Sequence, residues 1–254
     1  MKELAYFFAA LRFFTRLPVP AWVGHSADQL NHAARYFPLV GLIVGALGAA
    51  VTVAALYVWP PQIAVLLGMV TTLLATGAFH EDGLADSIDG FGGGWTREAV
   101  LRIMKDSRIG SYGAIGIGMV LLIKMAALTE LLAVSPAPTF FALLVAGHGV
   151  SRFASTTLIF ALDYARDDDS SKSKPLATRM GRGELLLAAL CGLAPCLLLP
   201  PLQLAIALVL VALVTLLAAR YFVRRIGGYT GDCLGATQQL TEIAFYLGLL
   251  CVFG

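Results

Sequence analysis

Leu185–Ala219 reads LLLAALCGLAPCLLLPPLQLAIALVLVALVTLLAA, 35 residues without one charged side chain. At 1.5 Å per residue a single helix of that length would overshoot the roughly 30 Å hydrocarbon core of a bilayer. Pro200-Pro201 stand near its middle, where a helix cannot run on unbroken. The stretch therefore reads as a hairpin of two membrane-crossing helices. The rest of the chain has the same character. Of 254 residues, 58% are hydrophobic and 13% charged, and mean hydropathy is +0.80. A soluble domain carries about 25% charged residues. Such a composition excludes a secreted disulfide scaffold, a disordered chain and an ordinary water-soluble enzyme. The apolar runs are continuous rather than alternating, which excludes a barrel. The fold class is all-α: a polytopic helical membrane protein.

Working outward, Leu39–Trp59, Gln62–Phe79, Tyr112–Val134 and Thr139–Leu162 each approach the length of a span. Ala236–Phe253 is a further candidate, with Glu242 near its start. With the two arms of the hairpin this predicts about seven transmembrane helices. Leu4–Phe14 reads as a short interfacial helix with aromatic anchors, broken by Arg12 and followed by Arg16, and it lacks the form of a cleavable signal. The cysteines Cys191, Cys196, Cys233 and Cys251 form no CxxC pair and read as small hydrophobes.

The basic residues are one-sided. All of the 18 except Lys124 and Arg152 fall before the first span, between spans two and three, between four and five, or after the sixth. The turns at 60–61, 135–138 and 200–201 carry none. The positive-inside rule then puts the N-terminus and the 81–111, 163–183 and 220–235 loops in the cytoplasm. The protein is expected as a multi-pass protein of the cell inner membrane, with its chemistry facing cytosolic small molecules. A net charge of +2 gives no footprint for nucleic acid.

The densest polar feature is Phe79-His80-Glu81-Asp82-Gly83-Leu84-Ala85-Asp86-Ser87-Ile88-Asp89-Gly90. Asp82, Asp86 and Asp89 fall at i, i+4 and i+7, one stripe of a helix. Like charges stacked this way repel unless a cation sits among them. Mg²⁺, which prefers carboxylate and water oxygens shared with a substrate phosphate, is the expected ion. Glu81 points off the stripe and either reaches a metal or accepts a hydrogen bond. His80 reads as interfacial packing or support for a ligand, and equally as a direct metal ligand. Phe91–Trp95 is a flexible breaker. Thr96 reads as an N-cap for an amphipathic helix over Arg97–Asp106. Lys105 and Arg108 follow, as phosphate contacts or lipid anchors. Gly227–Gly235 is Gly-rich, so backbone N–H groups near Thr230 and Gly231 can approach an anion; a plain turn is the alternative. Asp232 adds a carboxylate there. Lys124, Glu130, His148 and Arg152 are polar residues within spans. Asp167-Asp168-Asp169 reads as a solvated charge run.

FHEDGLADSIDG at 79–90, MKDSRIGSYG at 104–113 and GGYTGDCLGA at 227–236 resemble the cobalamin synthase family, the adenosylcobinamide-GDP ribazoletransferases. FFTRLPVP at 13–20, FPLVGLIVGA at 37–46 and Ser151-Arg152 are also similar to it. The resemblance implies that residues 1–254 form one integral-membrane catalytic domain of late vitamin B12 assembly. Its Mg²⁺-dependent reaction would join α-ribazole, or its 5′-phosphate, to adenosylcobinamide-GDP with release of GMP. Asp82, Asp86 and Asp89, with Glu81, would hold the metal. Lys105 and Arg108 would contact phosphate, and Arg152 the corrinoid. Glu81 or Asp232 would accept the proton. A CDP-alcohol-type phosphotransferase is the rival enzyme, although its DG-x2-AR motif fails here, with Ala85 followed by Asp86 rather than Arg, and its later G-x3-D-x3-D is missing. A transporter is the rival from another class.

Overall fold

The computed structural model describes residues 2–24, 26–166 and 177–251; Asp167-Asp168-Asp169 lie outside them. The elements are helices α1 (Lys2–Phe14), α2 (Ala27–Ala33), α3 (Phe37–Ala55), α4 (Pro61–Thr76), α5 (Phe79–Gly93), α6 (Arg97–Ile103), α7 (Ser111–Val134), α8 (Ala137–Ala161), α9 (Arg182–Leu193), α10 (Pro201–Ile226) and α11 (Gly231–Leu250). Short 3₁₀ turns at Ala34–Tyr36 and Ala194–Leu198 follow α2 and α9. No strand occurs among the described residues.

Each expected span appears as a helix, but the count of seven is not confirmed. Four helical segments are long and apolar enough to cross a membrane: Asp28–Ala55, Ser111–Val134, Ala137–Ala161 and Pro201–Ile226. A fifth is reached if α4 and α5, bent by 87°, count as one broken span. The shortfall has local causes. α9 stops after 12 residues and passes into the 3₁₀ turn that holds Pro195, so the hairpin breaks earlier than Pro200-Pro201. α11 is 20 residues long but carries Thr237, Gln238, Gln239, Thr241 and Glu242, all buried.

α8 is the central helix and packs on α3, α9, α10 and α11. Its buried face includes Phe140, Leu143, Leu144, Val150 and Leu158. α10 is the reverse case: Leu202, Val209, Leu213, Leu216 and Leu217 are exposed. Such an apolar face has its natural solvent in lipid tails.

A polar spine runs through this apolar bundle. Lys124 of α7 lies 2.6 Å from Glu242 Oε1 of α11. Tyr246 Oη donates to the same oxygen at 3.1 Å, and Gln238 Nε2 donates to Glu242 Oε2 at 2.7 Å and to Ser151 Oγ at 2.9 Å. His148 Nε2 is 3.5 Å from Glu242, and Arg152 Nη1 is 3.1 Å from His148 Nδ1. Lys124 and His148 thus converge on one carboxylate, with Arg152 against His148, while Glu130 is exposed. Removing one partner of a buried pair leaves the other charge uncompensated, which costs about 3–5 kcal/mol. Lys124→Met should therefore lower the melting temperature in detergent. Adding Glu242→Gln should recover part of the loss; a double variant that melts below the single one would contradict a coupled pair.

Candidate active site

The site begins where α4 ends. Gly77 has φ +65° and Ala78 φ 57°, two successive left-handed residues that turn the chain by 87° into α5. We do not count α5 as a membrane-spanning segment. Glycine is favoured at 77 by its positive φ, while the neighbouring Arg16 guanidinium is the movable end of a long side chain. A Cβ there would meet Arg16 Nε at 2.5 Å and Cζ at 2.9 Å. α5 then continues to Gly93, through the expected breaker, because its glycines are packed: a Cβ at Gly90 would meet Met104 Cγ at 2.6 Å. Thr96 caps α6 as expected, accepting from the Ala99 N–H at 3.2 Å.

The acids of α5 are not equivalent. Asp82 is exposed, Asp86 half-buried and Asp89 buried. Asp89 is committed to the start of α7: Gly110 N–H donates to its Oδ2 at 2.6 Å and Gly113 N–H to its Oδ1 at 2.8 Å. A carboxylate suits the unsatisfied donors and positive end of a helix N-terminus. Glu81 is 9% exposed and accepts from Gln239 Nε2 of α11 at 2.9 Å. Its Oε2 has no hydrogen-bond partner among the described residues. Gln239 also donates to Gln238 Oε1 at 2.8 Å, which joins Glu81 to the polar spine. His80 is 3% exposed and stacks on Phe14 at 5.0 Å, so its contact is packing.

Asp232 completes the acidic group from across the chain. A Cβ at Gly83 would lie 3.1 Å from Asp232 Cα, and one at Gly235 would lie 3.2 Å from Gly83 Cα. The backbones of α5 and α11 therefore touch, and the Asp232 charge is one of those that raise the Asp86 carboxyl. Thr230 caps α11, accepting from Cys233 N–H at 3.3 Å, with Gly231 as the first helical residue. Thr230 is buried.

Arg166, which the sequence did not single out, is held beside these acids. Ala165 N–H donates to Tyr229 O at 2.8 Å and Tyr229 N–H to Asp163 O at 3.0 Å. That bridge carries Arg166 Nη2 to 2.7 Å from Asp232 Oδ2. Arg97 braces the same corner, donating to Ile226 O at 3.0 Å and Ala165 O at 2.6 Å. The expected phosphate contacts sit differently. Arg108 is 86% exposed and pairs with Asp106 at 2.7 Å; Lys105 is exposed. Arg152, expected to face the corrinoid, is 2% exposed and belongs to the polar spine.

Burial, then the charges of Asp232, Asp82 and Asp89, push the Asp86 carboxyl up to about 7. Burial raises Asp232 against the pull of Arg166. Hydrogen bonds from Arg108 hold Asp106 at about 2. No three His, Cys, Asp or Glu side chains form a ready metal cage among the described residues. Of the four acids expected to hold a metal, Asp89 caps α7, Glu81 joins Gln239, and Asp82 and Asp86 lie near Asp232.

These features define an all-α membrane protein whose paired helix ends gather carboxylates around a site flanked by an arginine. Residues 6–250 match the cobalamin-5-phosphate synthase family, and the chain belongs to that family. It is 50% identical to an adenosylcobinamide-GDP ribazoletransferase of Shewanella frigidimarina over 252 residues, covering 99% of this chain and 96% of the relative. Similarity to the protein of the same name from Shewanella oneidensis is 50% over 254 residues, with coverage of 100% and 96%. No solved structure matches the chain.

The Asp86 shift has a consequence for metal-free protein. The folded state holds this proton above the ordinary value of 3.8, so its contribution is full below that value and is lost as pH rises through about 7. Melting temperature in chelator should fall across that window, and Asp86→Asn should flatten the slope. An unchanged slope in the variant would contradict the crowding of Asp86.

Proposed function

We infer that this protein joins α-ribazole or its 5′-phosphate to adenosylcobinamide-GDP, releasing GMP, as one integral-membrane catalytic unit. The observation that carries the chemistry is the α5–α11 contact that sets Asp232 against Asp82 and Asp86. A ribazole hydroxyl attacks the cobinamide-side phosphorus of the diphosphate; that O–P bond forms and the bond to GMP breaks. Asp232 is placed to take the hydroxyl proton, with Arg166 fixing its orientation. Glu81, enclosed and bonded to Gln239, is the weaker candidate for that role. Arg166 is the cation nearest the acids, and Lys105 and Arg108 contact phosphate from the exposed side.

Mg²⁺ suits the donor set. Asp82 and Asp86 are hard oxygen ligands whose mutual repulsion a cation would relieve, and such an ion usually takes only one or two carboxylates beside water and substrate phosphate. When bound, it supplies charge neutralisation at the diphosphate and the departing GMP. The charged groups inside the bundle, Lys124, His148 and Glu242, are buried against one another, which supports the enzyme reading over a transporter with its polar groups around an open substrate site.

Purified protein should release GMP from adenosylcobinamide-GDP plus ribazole only with Mg²⁺. Asp82→Asn, Asp86→Asn and Asp232→Asn should each cost orders of magnitude in turnover, since charge stabilisation at a phosphoryl group is worth several kcal/mol. The first two should also shrink the Mg²⁺-induced rise in melting temperature. Arg166→Gln should reduce turnover more than Arg108→Gln. Near-normal turnover in all three Asn variants would refute this assignment.

The one-sided basic residues support a site on the cytoplasmic side of the inner membrane. Reporter fusions at Ser107 and Pro136 should therefore report opposite sides; same-side signals would overturn the orientation.

A further inference from the structure

Beside the α4–α5 kink lies a cavity of about 470 Å³ between α1, α2 and the start of α5, within the size range of small-molecule sites. Its walls include Phe13, Leu30, Thr76 and Phe79, with Arg12 and Arg16 as the cations. The two arginines differ. Arg12 is committed, donating to Val23 O at 2.8 Å and to Gly24 O. Arg16 is exposed, and its guanidinium has no hydrogen bond or ion pair among the described residues. The left-handed Gly77 leaves room for it against the kink. The next sizeable cavity, about 320 Å³ between α8 and α10, is lined by Val150, Leu208 and Leu216 and has no charged wall.

We propose that the cavity at Arg16 is the subsite for the attacking substrate, and that it takes a phosphate monoester carried on a flat apolar base. This rests on the transferase reading above. The physical need is plain: a monoester dianion is repelled by Asp82, Asp86 and Asp232, so a phosphorylated nucleophile requires a cation set apart from those acids. Arg16 is such a cation, and a guanidinium can bind phosphate through two parallel N–H donors. Phe13 and Phe79, with rings 5.2 Å apart, offer aromatic surface for the base. Phe79 also opens α5 one turn before Asp82, so the cavity adjoins the helix that carries the acids. α-Ribazole 5′-phosphate has this chemistry, and the subsite would favour it over α-ribazole.

The test uses purified full-length protein and direct binding of α-ribazole 5′-phosphate and α-ribazole, each with and without the 16 substitution. Arg16→Gln should weaken binding of the phosphate form by about tenfold or more, the loss typical of a charge-assisted hydrogen bond. Binding of α-ribazole and the KM for adenosylcobinamide-GDP should not change. Arg16→Lys should restore part of the loss, because it keeps the charge without the planar fork. An equal effect on both ribazole forms, or none on either, would overturn the proposal. So would a variant that loses only its binding to phosphatidylglycerol vesicles, which would make the cavity a lipid-headgroup site. Binding is read without turnover. A wild-type protein that binds the phosphate form through Arg16 but releases no GMP would count against the transferase reading and leave the subsite standing.

Discussion

Two residues without side chains, Gly83 and Gly235, let α5 and α11 meet backbone to backbone. The grouping of the acids with α11 depends on that contact. It sets Asp232 beside Asp82 and Asp86, brings Gln239 onto Glu81 at 2.9 Å, and joins the acid helix to the spine that holds Glu242. A Cβ on either glycine would meet backbone rather than a flexible side chain, and backbone cannot step aside without moving a whole helix. Close approach through small residues is also how helices associate where the hydrophobic effect offers little.

The contact gathers like charges, and the structure offsets the repulsion unevenly. Asp89 gives both oxygens to the N–H groups that open α7. Asp232 takes Arg166 at 2.7 Å. Asp86 has neither, and burial with three neighbouring carboxylates drives its proton affinity up. The unbalanced pair, Asp82 and Asp86, is where the proposed divalent cation and diphosphate would complete the charge count. Deeper in the bundle the balance is already closed, with Lys124, His148, Gln238 and Tyr246 all turned on Glu242. The spine holds α7, α8 and α11 together.

Much of this is legible in the sequence, because hydropathy and helical spacing are local properties. α3, α4, α7, α8 and α10 fall within a few residues of the apolar runs that announce them, and Asp82, Asp86 and Asp89 do share one helix. What sequence spacing hides is pairing over distance. Nothing in the order of residues says that Asp89 caps a helix starting more than twenty positions later, or that the Tyr164–Tyr229 bridge delivers Arg166 to Asp232. Gln238 and Gln239 are hidden for a related reason. They dilute the hydropathy of α11, where they read as a weak span rather than as the polar face of a buried helix. Arg152 shows the converse: a charge in a span is flagged as unusual by sequence, but its neighbour His148 one turn away emerges only with the fold.

The central claim is that the α5–α11 contact assembles the site, and Gly235→Ala tests it most directly. Its added Cβ would lie 2.9 Å from His80 O and 3.2 Å from Gly83 Cα, so the two helices must part by a few tenths of an ångström or more. GMP release and melting temperature should be measured on the same purified sample. The account predicts a protein that still inserts and melts cooperatively but has lost most of its turnover, as small misplacements at a reacting centre can cost on the order of a hundredfold. Full turnover in that variant would contradict it.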